Sequence, residues 1–287
     1  MKATYIGVDL GGTKFEAARV GFDQEARIEA TQKVGVNAQM SYEELTAKLI
    51  ECIGVVWKEG VMAIGVGVPG LVDIASGTIL DIQNLPAWSN ANLADLLYQE
   101  FRRPVVLDND VNAFTLGVQS YGCGKGVNDL VGVSLGTGLG CGLVFNGQLY
   151  RGLLSGAGEV GMLPYRDGII ESYAGSFLFS RDYQSSGKDI HQDARAGDAM
   201  ALKALAEFGM HLGKAVKIIM FTYAPQAIVF GGSLSKAYAF FKEAMLQEIS
   251  DFPYPEQLRR TMISVEEQEG MALIGAACLC VDLQSGP

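Results

Sequence analysis

Asp9, Gly11, Gly12, Thr13 and Lys14 stand together in the stretch IGVDLGGTKFEAARV, residues 6–20, with apolar, strand-like runs on both sides. A glycine-bearing turn between strands presents backbone N–H groups with no side chain in the way, and such a nest attracts phosphate oxygens. Thr13 adds a hydroxyl donor and Lys14 a positive charge. Asp9 would repel a bare phosphate, so its place beside the turn makes sense with a magnesium ion in between. The plainer alternative is a hairpin whose Asp and Thr satisfy their own backbone. A second turn of this kind, SLGTGLGCG at 134–142, carries Gly136, Thr137 and Gly138. Two such tips can grip a triphosphate from opposite sides. Neither is a Walker loop, because G-x-x-x-x-G-K-[ST] has no match. Gly231 and Gly232, between a strand and a helix, would let a base or ribose approach flat, although a plain loop would look the same. Gly65-Val66-Gly67-Val68-Pro69-Gly70 fits the dinucleotide fingerprint formally, but GLVDIASGTILD starts no helix and Pro69 would spoil the turn.

These turns need strands and helices to hold them. Residues 4–10 alternate as a strand, and FEAARVGF reads as its return partner. SYEELTAKLIECIGVVWKEG predicts a helix in which Ser41 and Glu44 form a capping box, with Leu45, Leu49, Ile53 and Val56 as the apolar stripe. AIGVGVP reads as a buried strand, NANLADLLYQEF as a helix, and PVVLDND as a strand feeding a helix from Val111. The second half holds a long helix, GDAMALKALAEFGMHLGKAVKIIMFTY, ended by Pro225. A strand AIVFGG, a helix from Ser235 and a closing apolar helix GMALIGAACLCV follow. Alternating strands and helices indicate an α/β fold with largely parallel, two-sided sheets. IGVDLGGT at 6–13 recurs as VGVSLGTG at 131–138, near half the chain length, which points to two topologically similar domains. Their expected limits are 1–115, joined by the closing helix at about 271–287, and 116–270.

Composition narrows the function. At 287 residues and 49% hydrophobic there is ample material for packed cores. No apolar run approaches a bilayer-spanning length, and the N-terminus lacks a signal-peptide pattern, so no membrane partner is expected. The five cysteines, 52, 123, 141, 278 and 280, are an odd count with no framework spacing, which suits a reduced cytoplasmic protein. A net charge of −10 argues against nucleic acid as a partner. It leaves nucleotides possible, since backbone N–H groups and magnesium meet their charge locally.

In this order, DLGGTK, GVGVPGLVD, NLPAW, LDNDVNAFTLG, GVSLGTGLGCGLVFNGQL, SGAGEVG, ESYAGS, IVFGGSLS and LIGAAC resemble the ROK sugar kinase family over almost the whole length. The resemblance implies the actin-like ATPase (ribonuclease H-like) fold, with two similar domains and a cleft between them. It implies that the tip at 9–14 and Gly136-Thr137-Gly138 bind ATP phosphates, with Gly231 and Gly232 near the adenosine and magnesium held near Asp9, through water. Asp110 matches the catalytic base that takes the proton of the attacking sugar hydroxyl; the plainer reading makes it the N-cap of the helix from Val111. Glu159 and Glu171 match two glutamates presented to sugar hydroxyls, where one carboxylate can accept from adjacent diols. Asn109, Asn84 and Gly70 match further sugar-side positions. A homodimer is also implied.

The chain departs from the family at one place. Most members follow Gly161 with a histidine and then a cysteine-bearing loop that completes a zinc site. Here Met162 replaces the histidine, and LPYRDGII leads directly to Glu171 with no cysteine between, so no zinc site is expected. Met162 and Leu163 are expected to support the shortened loop by packing, and His191 and His211 to be structural. The missing histidine opens the identity of the sugar: glucose leads, with fructose, mannose and N-acetylated hexosamines behind it. Repressor members carry a helix-turn-helix ahead of the kinase domain, and a phosphate turn at residue 9 leaves no room for one. A sugar sensor without turnover and an actin-like assembly protein are the readings of another class. Intact Asp9, Lys14, Asn109 and Asp110 count against the sensor, and the paired glutamates against the assembly protein.

Overall fold

A computed structural model describes residues 3–82 and 84–281, in two compact units. The first takes the described residues up to Gly126, then Gly147–Ala157 and the described residues from Gln268 onward. Its chain begins with β1 (Ala3–Leu10), which turns into the antiparallel β2 (Lys14–Phe22), and β3 (Ala26–Gly35) pairs antiparallel with β2. Helix α1 (Tyr42–Val56) starts at the capping box read from the sequence: Glu44 N donates to Ser41 Oγ at 3.2 Å and Ser41 N to Glu44 Oε2 at 2.8 Å. Its predicted stripe of Leu45, Leu49, Ile53 and Val56 is fully buried.

β4 (Ile64–Val68) is buried at all five positions and runs parallel to β1. After Gly70 no helix forms; β5 (Leu71–Asp73), β6 (Thr78–Asp81) and β7 (Ala91–Asn92) make a small antiparallel sheet instead. Then come α2 (Leu93–Phe101), β8 (Val105–Asn109), parallel to β4, and α3 (Asp110–Tyr121). The main sheet runs β3-β2-β1-β4-β8. Trp88 lies flat on Phe15 beneath it, ring centroids 5.1 Å apart, and both are fully buried.

The second unit, Val127–Asn146 and Gly158–Glu267, opens with β9 (Leu130–Leu135) and the antiparallel β10 (Leu139–Phe145). The short strand β11 (Gln148–Tyr150) lies in the stretch that belongs to the first unit. A tight hairpin of β12 (Pro164–Tyr165) and β13 (Gly168–Ile169) precedes α4 (Glu171–Ala174), α5 (Phe177–Tyr183) and α6 (Gly187–Arg195). The long α7 (Ala199–Tyr223) is capped by Asp198 and ends before Pro225, as its sequence requires.

β14 (Ala227–Gly231) is parallel to β9. The helix expected from Ser235 begins later. A 3₁₀ turn occupies Leu234–Ala237, tightened by the Ser235 hydroxyl donating to Gly232 O at 2.8 Å, and α8 (Tyr238–Ile249) follows. After α9 (Pro255–Arg260), β15 (Met262–Val265) runs parallel to β14. The order β10-β9-β14-β15 repeats the plan of the first unit, an antiparallel hairpin followed by two parallel strands.

Helix α10 (Met271–Cys278) returns to the first unit and packs against β1 and α3. It does so backbone to backbone. A Cβ at Gly7, Gly65 or Gly275 would collide with the carbonyl oxygens of Leu273, Ala276 and Ala113 respectively. Among the described residues, no helix is long and apolar enough to cross a membrane.

Candidate functional site

In the first unit, three neighbouring strands bring the predicted residues to one end of the sheet. Asp9 on β1 is in register with Gly67 on β4, and Gly67 with Asp108 on β8; Val68 faces Asn109. Gly67 keeps this corner open, since a Cβ there would lie 3.2 Å from Asp110 Cα. The hairpin tip closes with Gly11 N donating to Lys14 O at 2.9 Å, leaving Gly12 and Thr13 as a two-residue loop outside the strand ladder. Neither tip glycine takes a positive φ. Gly12 is needed for space, as its Cβ would sit 2.6 Å from Asn84 Cβ. Gly70 is likewise confined by the carbonyl of Asp81, and its own carbonyl accepts from Asn109 Nδ2 at 3.3 Å. Asp9, the tip, Gly70, Asn84, Asn109 and Asp110 thus belong to one neighbourhood.

One reading changes here. The N-cap of α3 is Asn109, not Asp110: Asn109 Oδ1 accepts from Val111 N at 2.9 Å and Asn112 N at 3.3 Å. Asp110 is the first helical residue, where its carboxylate meets the positive end of the helix dipole, and Oδ1 accepts from Val111 N at 3.0 Å. Lys14 is paired within its own sheet. Alternation on β2 places it on the face of Glu16, whose carboxylate takes Lys14 Nζ at 3.1 Å and Lys33 Nζ at 2.9 Å.

Burial pushes the Asp9 carboxyl up to about 6, with the charge of Glu16 adding to it and Lys14 and Lys33 opposing it. A carboxylate so poorly compensated by protein cations fits a place where a divalent ion would supply the missing charge.

In the second unit, Gly136 N donates to Gly138 O at 3.1 Å across the other tip, and Ser176 N donates to the carbonyls of Gly136 and Thr137. Glu171 heads α4 and reaches the same tip: its Oε2 accepts from Leu139 N at 3.3 Å and fills the space that a Cβ on Gly138 would take. Gly231 ends β14 in register with Ser134, and Gly232, φ +85°, abuts the backbone of Leu135. The predicted adenosine-side glycines and the second tip are therefore adjacent.

Glu159 is exposed. The glycines on either side fold the chain tightly there, Gly158 against Cys141 O and Gly161 against Leu139 O. Partial desolvation, and then the charge of Glu171, raise the Glu159 carboxyl above its ordinary range.

Met162 and Leu163 do not pack under the shortened loop; both are exposed. Polar aromatics hold it instead. Tyr165 OH lies 3.0 Å from Nδ1 of the buried His211, the Tyr165 and Tyr173 rings meet edge to face at 5.4 Å, and Tyr173 OH bonds Asp167. Arg166 and Arg181 lie over the Tyr173 ring at 5.2 and 4.4 Å. His191 packs its ring against Phe240. Among the described residues, no group of three or more His, Cys, Asp or Glu side chains could hold a metal ion.

Sequence reasoning missed an ion pair beside Asn109. Asp108 is fully buried, and its Oδ2 accepts from Arg151 Nε at 2.6 Å. The DND spelling could have flagged Asp108 as a third acid at a strand end. No local signal marks Arg151, which reaches it from a distant stretch.

A model of the ROK family matches residues 5–282. The glucokinase of Thermotoga maritima is 28% identical, with 97% of each chain covered. A xylose repressor of Caldicellulosiruptor bescii is also 28% identical, over 94% of this chain and 75% of its own. Among solved structures, a ROK family glucokinase from Streptomyces griseus in complex with glucose and AMPPNP superposes with a TM-score of 0.83 at 27% identity, covering 96% of this chain and 99% of that one. The ROK hexokinase from Thermus thermophilus gives 0.80 at 26% identity, with both chains fully covered. These neighbours have the actin-like ATPase fold, and this chain shares it.

Proposed function

Since the chain belongs to the ROK family, we propose that it is an ATP-dependent hexose kinase carrying the γ-phosphoryl group to a sugar primary hydroxyl, with glucose as the acceptor. The observation that carries this reading is the meeting of Asp9, the glycine tip, Asn109 and Asp110 at the ends of β1 and β8. Phosphoryl transfer asks a protein mainly for alignment and charge, and these are the groups that supply both.

Asp110 accepts the proton of the sugar hydroxyl as the oxygen bonds to the γ-phosphorus and the bond to the β-phosphate oxygen breaks, releasing ADP. Its hydrogen bond from Val111 N holds the carboxylate still. Gly11, Gly12, Thr13 and Lys14 on one tip and Gly136, Thr137 and Gly138 on the other donate to the phosphates, and Gly231 and Gly232 flank the adenosine. Glu159, Glu171, Asn84, Asn109 and the Gly70 backbone bind sugar hydroxyls; acceptors left unpaired by a wrong epimer make the selection steep. Magnesium, held through water by Asp9, would neutralise phosphate charge. The same reading makes the protein a cytoplasmic homodimer that works without zinc and without nucleic-acid or membrane partners.

The glucokinase names of a curated relative and a solved structure support the activity, while the xylose repressor supports a sugar-binding homologue without turnover. ADP release with magnesium, ATP and a panel of glucose, fructose, mannose and N-acetylglucosamine separates them. Glucose-dependent ADP is expected. A silent panel with sugar-dependent thermal stabilisation means the sensor, and a faster rate on another sugar reassigns the acceptor.

A further inference from the structure

The Asp108 carboxylate accepts three hydrogen bonds: Oδ1 from Asn109 N at 2.8 Å and Asn112 Nδ2 at 2.9 Å, and Oδ2 from Arg151 Nε at 2.6 Å. Its side chain is 1% exposed, that of Arg151 37%. A buried charge, even a paired one, is a poor device for stability alone, because apolar side chains of the same volume often hold a fold as well or better. Here the pair sits immediately before the Asn109-Asp110 step, and one of its bonds runs to the Asn109 amide itself.

The segment that follows Arg151 is sharply bent. Leu154 and Ser155 take φ of 56° and 59°, which non-glycine residues adopt at a cost, and the buried Ser155 Oγ has no partner among the described residues. Ala157 N closes the bend on Arg151 O at 3.1 Å. Backbone strain and an orphaned hydroxyl a few residues after Arg151 are costs that a segment kept for what it positions can carry.

We propose that Arg151 is a positioning residue: by clamping Asp108 it fixes the end of β8, and so the pose of the Asn109 amide and the Asp110 carboxylate. Without the guanidinium, the buried carboxylate keeps a charge with no counter-ion. It turns toward water, and the Asn109 amide bonded to it moves as well.

The kinetic arm of the test rests on the kinase reading, and a crystallographic arm does not. Three variants are compared with wild type: Arg151→Lys, Arg151→Met, and Arg151→Met with Asp108→Asn, whose matched neutral pair keeps the fold intact. In crystals without ligands, the Arg151→Met strand end is expected to shift by about 1 Å with the rest of the sheet unchanged. A displacement of that size costs about 100-fold in rate. The expected kinetics are therefore a kcat for glucose about 100-fold lower with KM for ATP little changed, partial recovery in Arg151→Lys, and a double variant that melts like wild type yet stays slow. An unmoved strand end, or a double variant at wild-type rate, overturns the proposal. A wild-type protein silent on every sugar overturns the kinase reading instead, and the crystals alone then decide the role of Arg151.

Discussion

Asp9 shows what one buried carboxylate can cost a fold. Its carboxyl is raised from 3.8 to about 6, chiefly by burial. Below the lower value, folded and unfolded chains both carry the proton and the group is neutral toward stability. Between the two values the unfolded chain ionises first, so stability falls as pH rises, and above about 6 the full cost stands at up to about 3 kcal/mol. Asp9→Asn is therefore expected to be more stable than wild type near pH 8 without magnesium or nucleotide, the gap closing toward pH 3, while kinase turnover is lost. Urea unfolding of both proteins across that range measures it; a gap independent of pH contradicts it. Asp9 was legible as a carboxylate beside a glycine turn, because that juxtaposition lies within a few residues. The Asn109 cap was not, because Asn109 and Asp110 are both good caps and only the backbone decides which comes first. Asp108 with Arg151 was hidden for another reason, since nothing local in a sequence tells which distant cation a buried acid will meet.

At the scale of elements, the hairpin of β9 and β10 carries two of the proposed functions at once. Its tip glycine, Gly138, gives up the volume of a side chain to the carboxylate of Glu171 on α4. The colliding atom is the free end of a flexible side chain, so Gly138→Ala is expected to fold with little loss of stability. Glu171 would swing off the tip, and the expected outcome is a several-fold rise in KM for sugar at nearly unchanged thermal midpoint. A normal KM would detach Glu171 from sugar binding. The sequence showed the tip through its glycines and α1 through its capping box and stripe, all of them local patterns. It misread the support of the short loop at 163–170. Met162 and Leu163 look like core by composition, yet the side chains that hold the loop come from Tyr165 and Tyr173 with His211 on α7, partners that only the fold brings together.

At the scale of the molecule, one plan is used twice: an antiparallel hairpin with a glycine-bearing tip, then two parallel strands. The repeat of IGVDLGGT as VGVSLGTG was visible because each tip spells its glycines within a few residues of an apolar strand. The return of residues 147–157 to the first unit was not visible, because β11 and its flanks have no pattern that separates them from the β10 hairpin. The central claim is that this architecture aligns a sugar hydroxyl with the γ-phosphate while Asp110 takes the proton. Single-turnover formation of glucose 6-phosphate by wild type and Asp110→Asn, with glucose binding measured alongside, tests it most directly. The account predicts a rate lower by roughly 10²–10⁴-fold in the variant with glucose affinity within a few-fold of wild type. Near-normal phosphorylation by Asp110→Asn would contradict it.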